Sequence, residues 1–97
     1  MRQETRTIMR AFIDGESKRM KRTATDGQTV TLDGHIIAVR DAGNNYHLTL
    51  AGWGTPTTRD RLNGLCELLV GANPYNQRKH DQYFDDIEID AHETLII

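Results

Sequence analysis

The sequence predicts an α+β fold: an N-terminal helix, a three-strand antiparallel meander, a second helix packed on the sheet, and C-terminal short strands or a hairpin. Three observations predict it. Ile8, Met9, Phe12 and Ile13 recur at helical spacing, and Leu62, Leu65, Cys66 and Leu69 fall at i, i+3, i+4 and i+7. Between these runs, Thr29-Val30-Thr31-Leu32 and Tyr46-His47-Leu48-Thr49-Leu50 alternate polar and apolar as half-buried strands do. Asp33-Gly34 separates two extended runs, and Asp-Gly is a strong hairpin signal because a type I′ turn needs positive φ at both central residues.

The first helix is expected over Thr5 to Asp14, with Gly15 as its C-terminal cap. Ser17 to Thr25 is basic, and the alternation of Met20, Arg22 and Ala24 predicts one extended edge strand protected by Lys and Arg. Asp26-Gly27 is a turn pair, and the strand ending at Leu32 pairs through Asp33-Gly34 with the β-branched run His35 to Arg40. The loop Asp41-Ala42-Gly43-Asn44-Asn45 leads into the third strand, with Tyr46, Leu48 and Leu50 on one face. Thr57 or Thr58 is expected to cap the second helix, after Pro56, with Asp60 in the first turn where its charge suits the dipole. Gly71 and Pro74 end that helix, and Gly64 is its weak point. Tyr75 to Lys79, Gln82 to Phe84, Ile87 to Ile89 and Thr94 to Ile97 read as short strands, with turns at His80-Asp81 and Asp85-Asp86.

A chain of 97 residues with 37% hydrophobic content supports one core, hence a single domain over 1–97. No stretch approaches the roughly 20 apolar residues of a membrane helix, and Met1-Arg2-Gln3-Glu4 lacks the apolar centre of a signal peptide, so no membrane partner and a cytoplasmic location are expected. Cys66 is the only cysteine, which excludes an intramolecular disulfide; set among leucines, it reads as a buried, inert thiol.

Net charge is only −2, but it is divided unevenly. Met1 to Ala24 carries seven basic residues against three acidic ones, whereas His80 to Ile97 carries six acids and no Lys or Arg. Oppositely charged ends can pair within one molecule, pair between molecules, or each meet an outside partner. A merely solvated surface is the plainest account.

The run Ala51-Gly52-Trp53-Gly54-Thr55-Pro56-Thr57-Thr58-Arg59-Asp60-Arg61-Leu62-Asn63-Gly64 resembles a group of small, uncharacterised tailed-bacteriophage proteins. In that group a Gly-Trp pair is followed by Thr-Thr-Arg, one residue, and Arg-Leu-Asn. Ala11-Phe12 with Gly15, Thr25-Asp26-Gly27, Leu32-Asp33-Gly34 with Ile37-Ala38, and the tail elements Tyr83-Phe84-Asp85 and Ile89-Asp90 agree with it. Arg22 departs from the pattern, where Asn would be expected, and Gly64 to Pro74 is longer than usual. The resemblance implies a phage or prophage source and a bacterial host cell, and carries no activity with it.

Catalytic patterns are missing: the sequence has no phosphate-cradling glycine loop, no Gly-x-Ser-x-Gly elbow and no His-Glu-x-x-His helix, so no enzyme and no cofactor are expected. His35, His47, His80 and His92 stand singly. Asp86, Glu88 and Asp90, with His92, alternate with apolar residues, which would place an acidic row on one strand face. Such a row is a solvated face, an imitation of a nucleic-acid backbone, or a divalent-ion site lacking converging ligands. Lys18, Arg19, Lys21 and Arg22, with Arg59 and Arg61, invite phosphate contacts, against which stand a pI near 6.0 and few aromatics. Trp53 either packs as a staple against Leu62 or, exposed beside Arg59, anchors an interface.

These residues together predict a small accessory protein that binds a host or defence-system protein, with a homodimer plausible. The alternative is a nucleic-acid-binding module built on residues 18–22 with Arg59 and Arg61.

Overall fold

A computed structural model describes residues 2–97. It contains α1 (Gln3–Ile13), β1 (Lys18–Met20), β2 (Thr23–Thr25), β3 (Thr29–Leu32), β4 (His35–Arg40), β5 (Tyr46–Thr49), α2 (Pro56–Val70), β6 (Tyr75–Arg78), β7 (Asp81–Phe84), β8 (Ile87–Ile89) and β9 (Thr94–Ile96). The strands form a six-stranded sheet in the order β1-β2-β3-β4-β5-β9 and a three-stranded sheet, β6-β7-β8, with every pairing antiparallel. The α+β class and the order of elements agree with the sequence reading. The meander is larger than expected, because the basic segment and the last strand extend it at both ends.

Ser17 to Thr25 is not one strand. Met20 pairs with Thr23, so Lys21 and Arg22 make a tight turn, with Lys21 at φ 55°. No Gly, Asn or Asp marks that turn, which hid it. The Asp33-Gly34 hairpin stands as read: Leu32 pairs with His35, and the two turn residues have φ 53° and 81°. One irregularity follows, since Val30 pairs with Ala38 and Thr31 with Ile36, leaving Ile37 as an extra residue. Both Ile37 and Ala38 are consequently buried.

The helices cover one face of the large sheet. α1 contributes Thr5, Ile8, Met9 and Phe12, all fully buried, and α2 contributes Leu62, Leu65 and Cys66, against Val30, Leu32, Leu48 and Leu50 from the strands. The opposite face carries Arg19, Ala24, Thr31 and Ile36 in one cross-strand row and Thr29, Val39, His47 and Ile96 in another, and neither helix lies on it. Arg40 closes the end of α1. Its guanidinium donates to Phe12 O at 2.9 Å and Ile13 O at 3.2 Å, also reaches Gly27 O, and lies over the Phe12 and Tyr46 rings.

α2 begins two or three residues earlier than the sequence suggested. Thr55, not Thr57 or Thr58, is the N-cap; its hydroxyl accepts from Thr58 N at 3.2 Å, and Pro56 takes the first helical position, where no N–H is needed. Asp60 therefore falls beyond the first turn and, instead of meeting the dipole, bonds Thr5 and Arg61. The helix passes Gly64 unbroken and ends at Gly71, φ 72°.

The small sheet docks on α2 through Asn63, whose amide donates to Tyr75 O at 2.8 Å and accepts from Tyr75 N at 2.7 Å. Its first turn is Lys79-His80 and not His80-Asp81, since Arg78 pairs with Asp81. Tyr75 is buried, its hydroxyl has no partner among the described residues, and burial pushes its pKa up. Tyr75→Phe is expected to raise stability by about 1 kcal/mol, because it removes a desolvated, unpaired group. Calorimetry checks this, and a loss of stability would show that the hydroxyl is bonded in solution.

The loop before β5 is organised by Asp41, whose carboxylate accepts from Gly43 N at 2.8 Å and Asn45 N at 3.0 Å and meets His47 Nε2 at 2.8 Å. The bond with His47, then the loop amides, hold its pKa down at about 2, against an ordinary 3.8. The folded value lies below the unfolded one, so this contribution is present above pH 3.8 and is lost as pH falls towards about 2. Asp41→Asn should flatten the acid limb of the stability profile in that window, measured as thermal midpoint against pH; an unchanged limb would exclude Asp41 as its source.

Candidate functional site

A cleft of about 370 Å³ opens between the β3–β4 hairpin and the loop leading into α2. Leu32, Ile37 and Leu50 form its apolar floor, and all three are buried. Trp53 and His35 stand at its mouth with ring centroids 5.5 Å apart and planes tilted by 48°. Thr55 and Thr58, whose hydroxyls are 3.0 Å apart, line the helix side. Arg22 and Asp33 close the remaining rim as a forked pair, with Nε to Oδ1 at 2.7 Å and a second bond from Nη2 to Oδ2. Arg22 holds the Asp33 carboxyl below the usual range, and Asp33 raises the Arg22 pKa in turn.

Local chemistry explains how Trp53 comes to be displayed. Ala51 and Gly52 take positive φ, 55° and 83°, so the chain reverses, and Trp53 N donates to Leu50 O at 2.9 Å. At Gly52 a Cβ would sit 2.5 Å from the His92 ring, and at Gly54 it would sit 2.6 Å from the Gln82 amide. Glycine on both sides lets the loop lie flat on β7 and the 90–93 turn while the indole projects outward. Arg59 pins the loop, donating from Nη1 to Gly54 O at 2.8 Å, Gln77 Oε1 at 2.8 Å and Gln82 Oε1 at 3.1 Å.

Trp53 is 53% exposed, so the expected staple against Leu62 does not form. Burial of an indole needs a partner for its N–H and a site for its area, and the turn at Ala51-Gly52 directs it away from the core. Of the other residues singled out, Arg22 lines the same cleft, while Arg59 supports it from behind. Arg61 lies inside the fold, its side chain 3% exposed, bonded to Thr23, Thr5, Asp60 and Glu4. Lys21 pairs with Glu4 at 3.9 Å. Lys18 and Arg19 are exposed on β1, and among the described residues they form no ion pair.

Of the acidic row only Glu88 lies within a strand. Asp86 sits in a turn and pairs with Arg78 at 2.6 Å, Glu88 is exposed on β8, and Asp90 accepts from His92 N at 2.8 Å in the next turn. Among the described residues, no three His, Cys, Asp or Glu side chains gather as a metal site would require. Cys66 is buried, which pushes its thiol up to about 11. The sequence reading missed His35, Asp33 and the cleft floor; the signal for them was the hairpin turn itself, which brings its two arms to one rim.

The fold and this cleft define a small α+β protein with an aromatic-lipped apolar groove, and the matched family is a phage one. The chain belongs to the Kyanoviridae Gp96 protein family, whose family model matches residues 1–95. No curated protein and no solved structure matches the chain. No helix among the described residues is long and apolar enough to cross a membrane.

Proposed function

We propose that this phage protein is a non-catalytic accessory protein of the bacterial host cytoplasm. In this reading it binds a host protein, either a takeover target or a defence component, by receiving an apolar side chain in the Trp53 cleft. The observation that carries this is the half-exposed indole at the lip of an apolar floor. Tryptophan and arginine are the residues on which interface energy concentrates, and a desolvated pocket beside them is the usual setting. The cleft is near the lower end of small-ligand pockets, which run from about 300 to 1,000 Å³, and suits one or two partner side chains. The Arg22–Asp33 pair at the rim offers a partner both signs of charge.

The nucleic-acid reading is weaker, because Arg61 is internal and Arg22, Arg59 and Lys21 are engaged, leaving Lys18 and Arg19 as the open cations of the expected set. Phosphate recognition normally draws on many more. Gel-shift titration with DNA and RNA at two salt concentrations should show no salt-sensitive binding. Tight binding abolished by neutralising Arg19 and Arg22 would replace the protein-binding reading.

Trp53→Ala is the direct test. Stability should stay within about 0.5 kcal/mol, as at other exposed positions. Partner binding, followed after affinity capture from infected cells, should weaken by about 2 kcal/mol or more. As the only tryptophan, Trp53 also reports occupancy through its own fluorescence. A captured partner that binds the variant as tightly as the wild type would overturn the assignment of the cleft.

A further inference from the structure

A second pocket, of about 200 Å³, adjoins the Trp53 cleft. Arg22 and Leu32 line both, so the two share a wall. The character of the second is different. Arg2, which precedes α1, Lys21 and Arg22 of the turn between β1 and β2, and Arg61 of α2 all line it. Cations from three separate parts of the chain thus meet in one place, and Glu4 is the one acid among the described lining residues.

These cations are not equally committed. Arg61 already bonds Thr23, Thr5, Asp60 and Glu4, and acts as a fixed charge at the back of the pocket. Arg22 forks onto Asp33 through Nε and Nη2, which leaves Nη1 outside the fork. Arg2 lies 3.8 Å from Asp60 and Lys21 lies 3.9 Å from Glu4, on side chains that are 53% and 83% exposed. Those separations are too long for hydrogen bonds, and exposed contacts of this kind hold little energy and redirect readily. Set against the carboxylates of Glu4, Asp60 and Asp33, the four cations leave one positive charge uncompensated. Thr57, in the first turn of α2, adds the positive end of the helix dipole.

We propose that the protein received by the Trp53 cleft carries an aspartate or glutamate close to its apolar anchor, and that this carboxylate enters the pocket of Arg2, Lys21 and Arg22. The inference rests on the cleft being the binding site and adds the charge of what binds there. The shared wall lets one short segment reach both pockets, its apolar side chain on the floor of Leu32, Ile37 and Leu50 and its acid beside Arg22. A single carboxylate is satisfied by two or three donors, whereas a nucleic-acid backbone draws on many phosphate contacts, so the same cations do not restore that reading. A partner with Lys or Arg at this position would meet like charge, which makes the pocket a selector as well as a contact.

Selection of a peptide library on the immobilised intact chain tests this. The probe is a pool of short peptides with leucine fixed at the centre and all other positions varied. Asp and Glu should be enriched beside the leucine, and Lys and Arg depleted. The preference over Asn and Gln should be about fivefold, as for an exposed ion pair, and should shrink at about 1 M salt, where the screening length is about 3 Å. Arg2→Ala with Lys21→Ala should abolish that preference while leucine remains required, and Trp53→Ala should abolish the leucine requirement itself. All three side chains are exposed, and an unchanged circular dichroism spectrum shows that the fold is kept. Leucine-dependent binding without acidic preference, or a preference that survives the double variant, would overturn this inference and leave the cleft standing. Absence of any leucine-dependent selection would overturn the cleft reading and this inference together.

Discussion

Arg61→Ala is expected to destabilise the fold by about 3–5 kcal/mol, the range for breaking a buried ion pair from one side. The Arg61 side chain spans three elements: Nε donates to Thr23 Oγ1 at 2.9 Å on β2, Nη1 to Thr5 Oγ1 at 2.6 Å on α1 and to Asp60 Oδ2 at 2.9 Å, and Nη2 to Glu4. Its removal leaves two carboxylates with side-chain exposures of only 18% and 19%, and two fully buried threonine hydroxyls, without their shared donor. Lysine keeps the charge but lacks the planar fork, so Arg61→Lys should recover less than half of the loss. Adding Glu4→Gln to Arg61→Ala should recover part of it by removing an uncompensated charge. Urea denaturation reads these effects as a lower midpoint at constant slope. A loss below about 1 kcal/mol would place the network with surface ion pairs.

Gly27→Ala should cost about 3 kcal/mol or more, combining backbone strain of about 1–3 kcal/mol with overpacking of similar size. Gly27 has φ 89°, and a Cβ there would lie 2.5 Å from both the carbonyl carbon and oxygen of Gly15 and 3.1 Å from Glu16 N. These are main-chain atoms, which cannot rotate aside. The contact holds the end of α1 against the β2–β3 turn, where Arg40 also bonds Gly27 O. Gly34 provides the control, since it has φ 81° with nothing within 4 Å of an added Cβ. Gly34→Ala should show only the left-handed strain, about 1–2 kcal/mol. Equal losses at the two positions would mean that the close approach of Gly27 to Gly15 relaxes at no cost.

Much of the fold was legible because its signals are local. The Asp33-Gly34 turn, the alternation through Leu32 and Leu48, and the stripe of Leu62, Leu65 and Cys66 each follow from backbone geometry over a few residues. The Lys21-Arg22 turn was not legible, because a lysine at φ 55° leaves no compositional mark. The N-cap was displaced because threonines at 55, 57 and 58 all suit the role, and only placing Pro56 at the first helical position selects Thr55.

The site was less legible than the fold. Arg59 and Arg61 read as basic surface, yet the apolar stripe of α2, extended backwards at the same spacing, runs through Thr58 and Arg61 before Leu62 and Leu65. That extension was the available signal that Arg61 faces inward. For Trp53 the decisive facts are the two glycines and what lies beneath them, the His92 ring and the Gln82 amide, 40 and 28 residues further along the chain.

The sequence by itself determined the α+β class, the central hairpin, the order of the elements and the likeness to a phage family, all of which rest on patterns a few residues long. Only the tertiary structure decided that Arg61 is internal, that Trp53 projects beside an apolar cleft, and that most of the acidic C-terminal residues belong to a second, separate sheet. The reason is physical: burial and edge position depend on contacts such as Arg61 to Glu4, 57 residues apart, and no local period encodes where such distant segments meet.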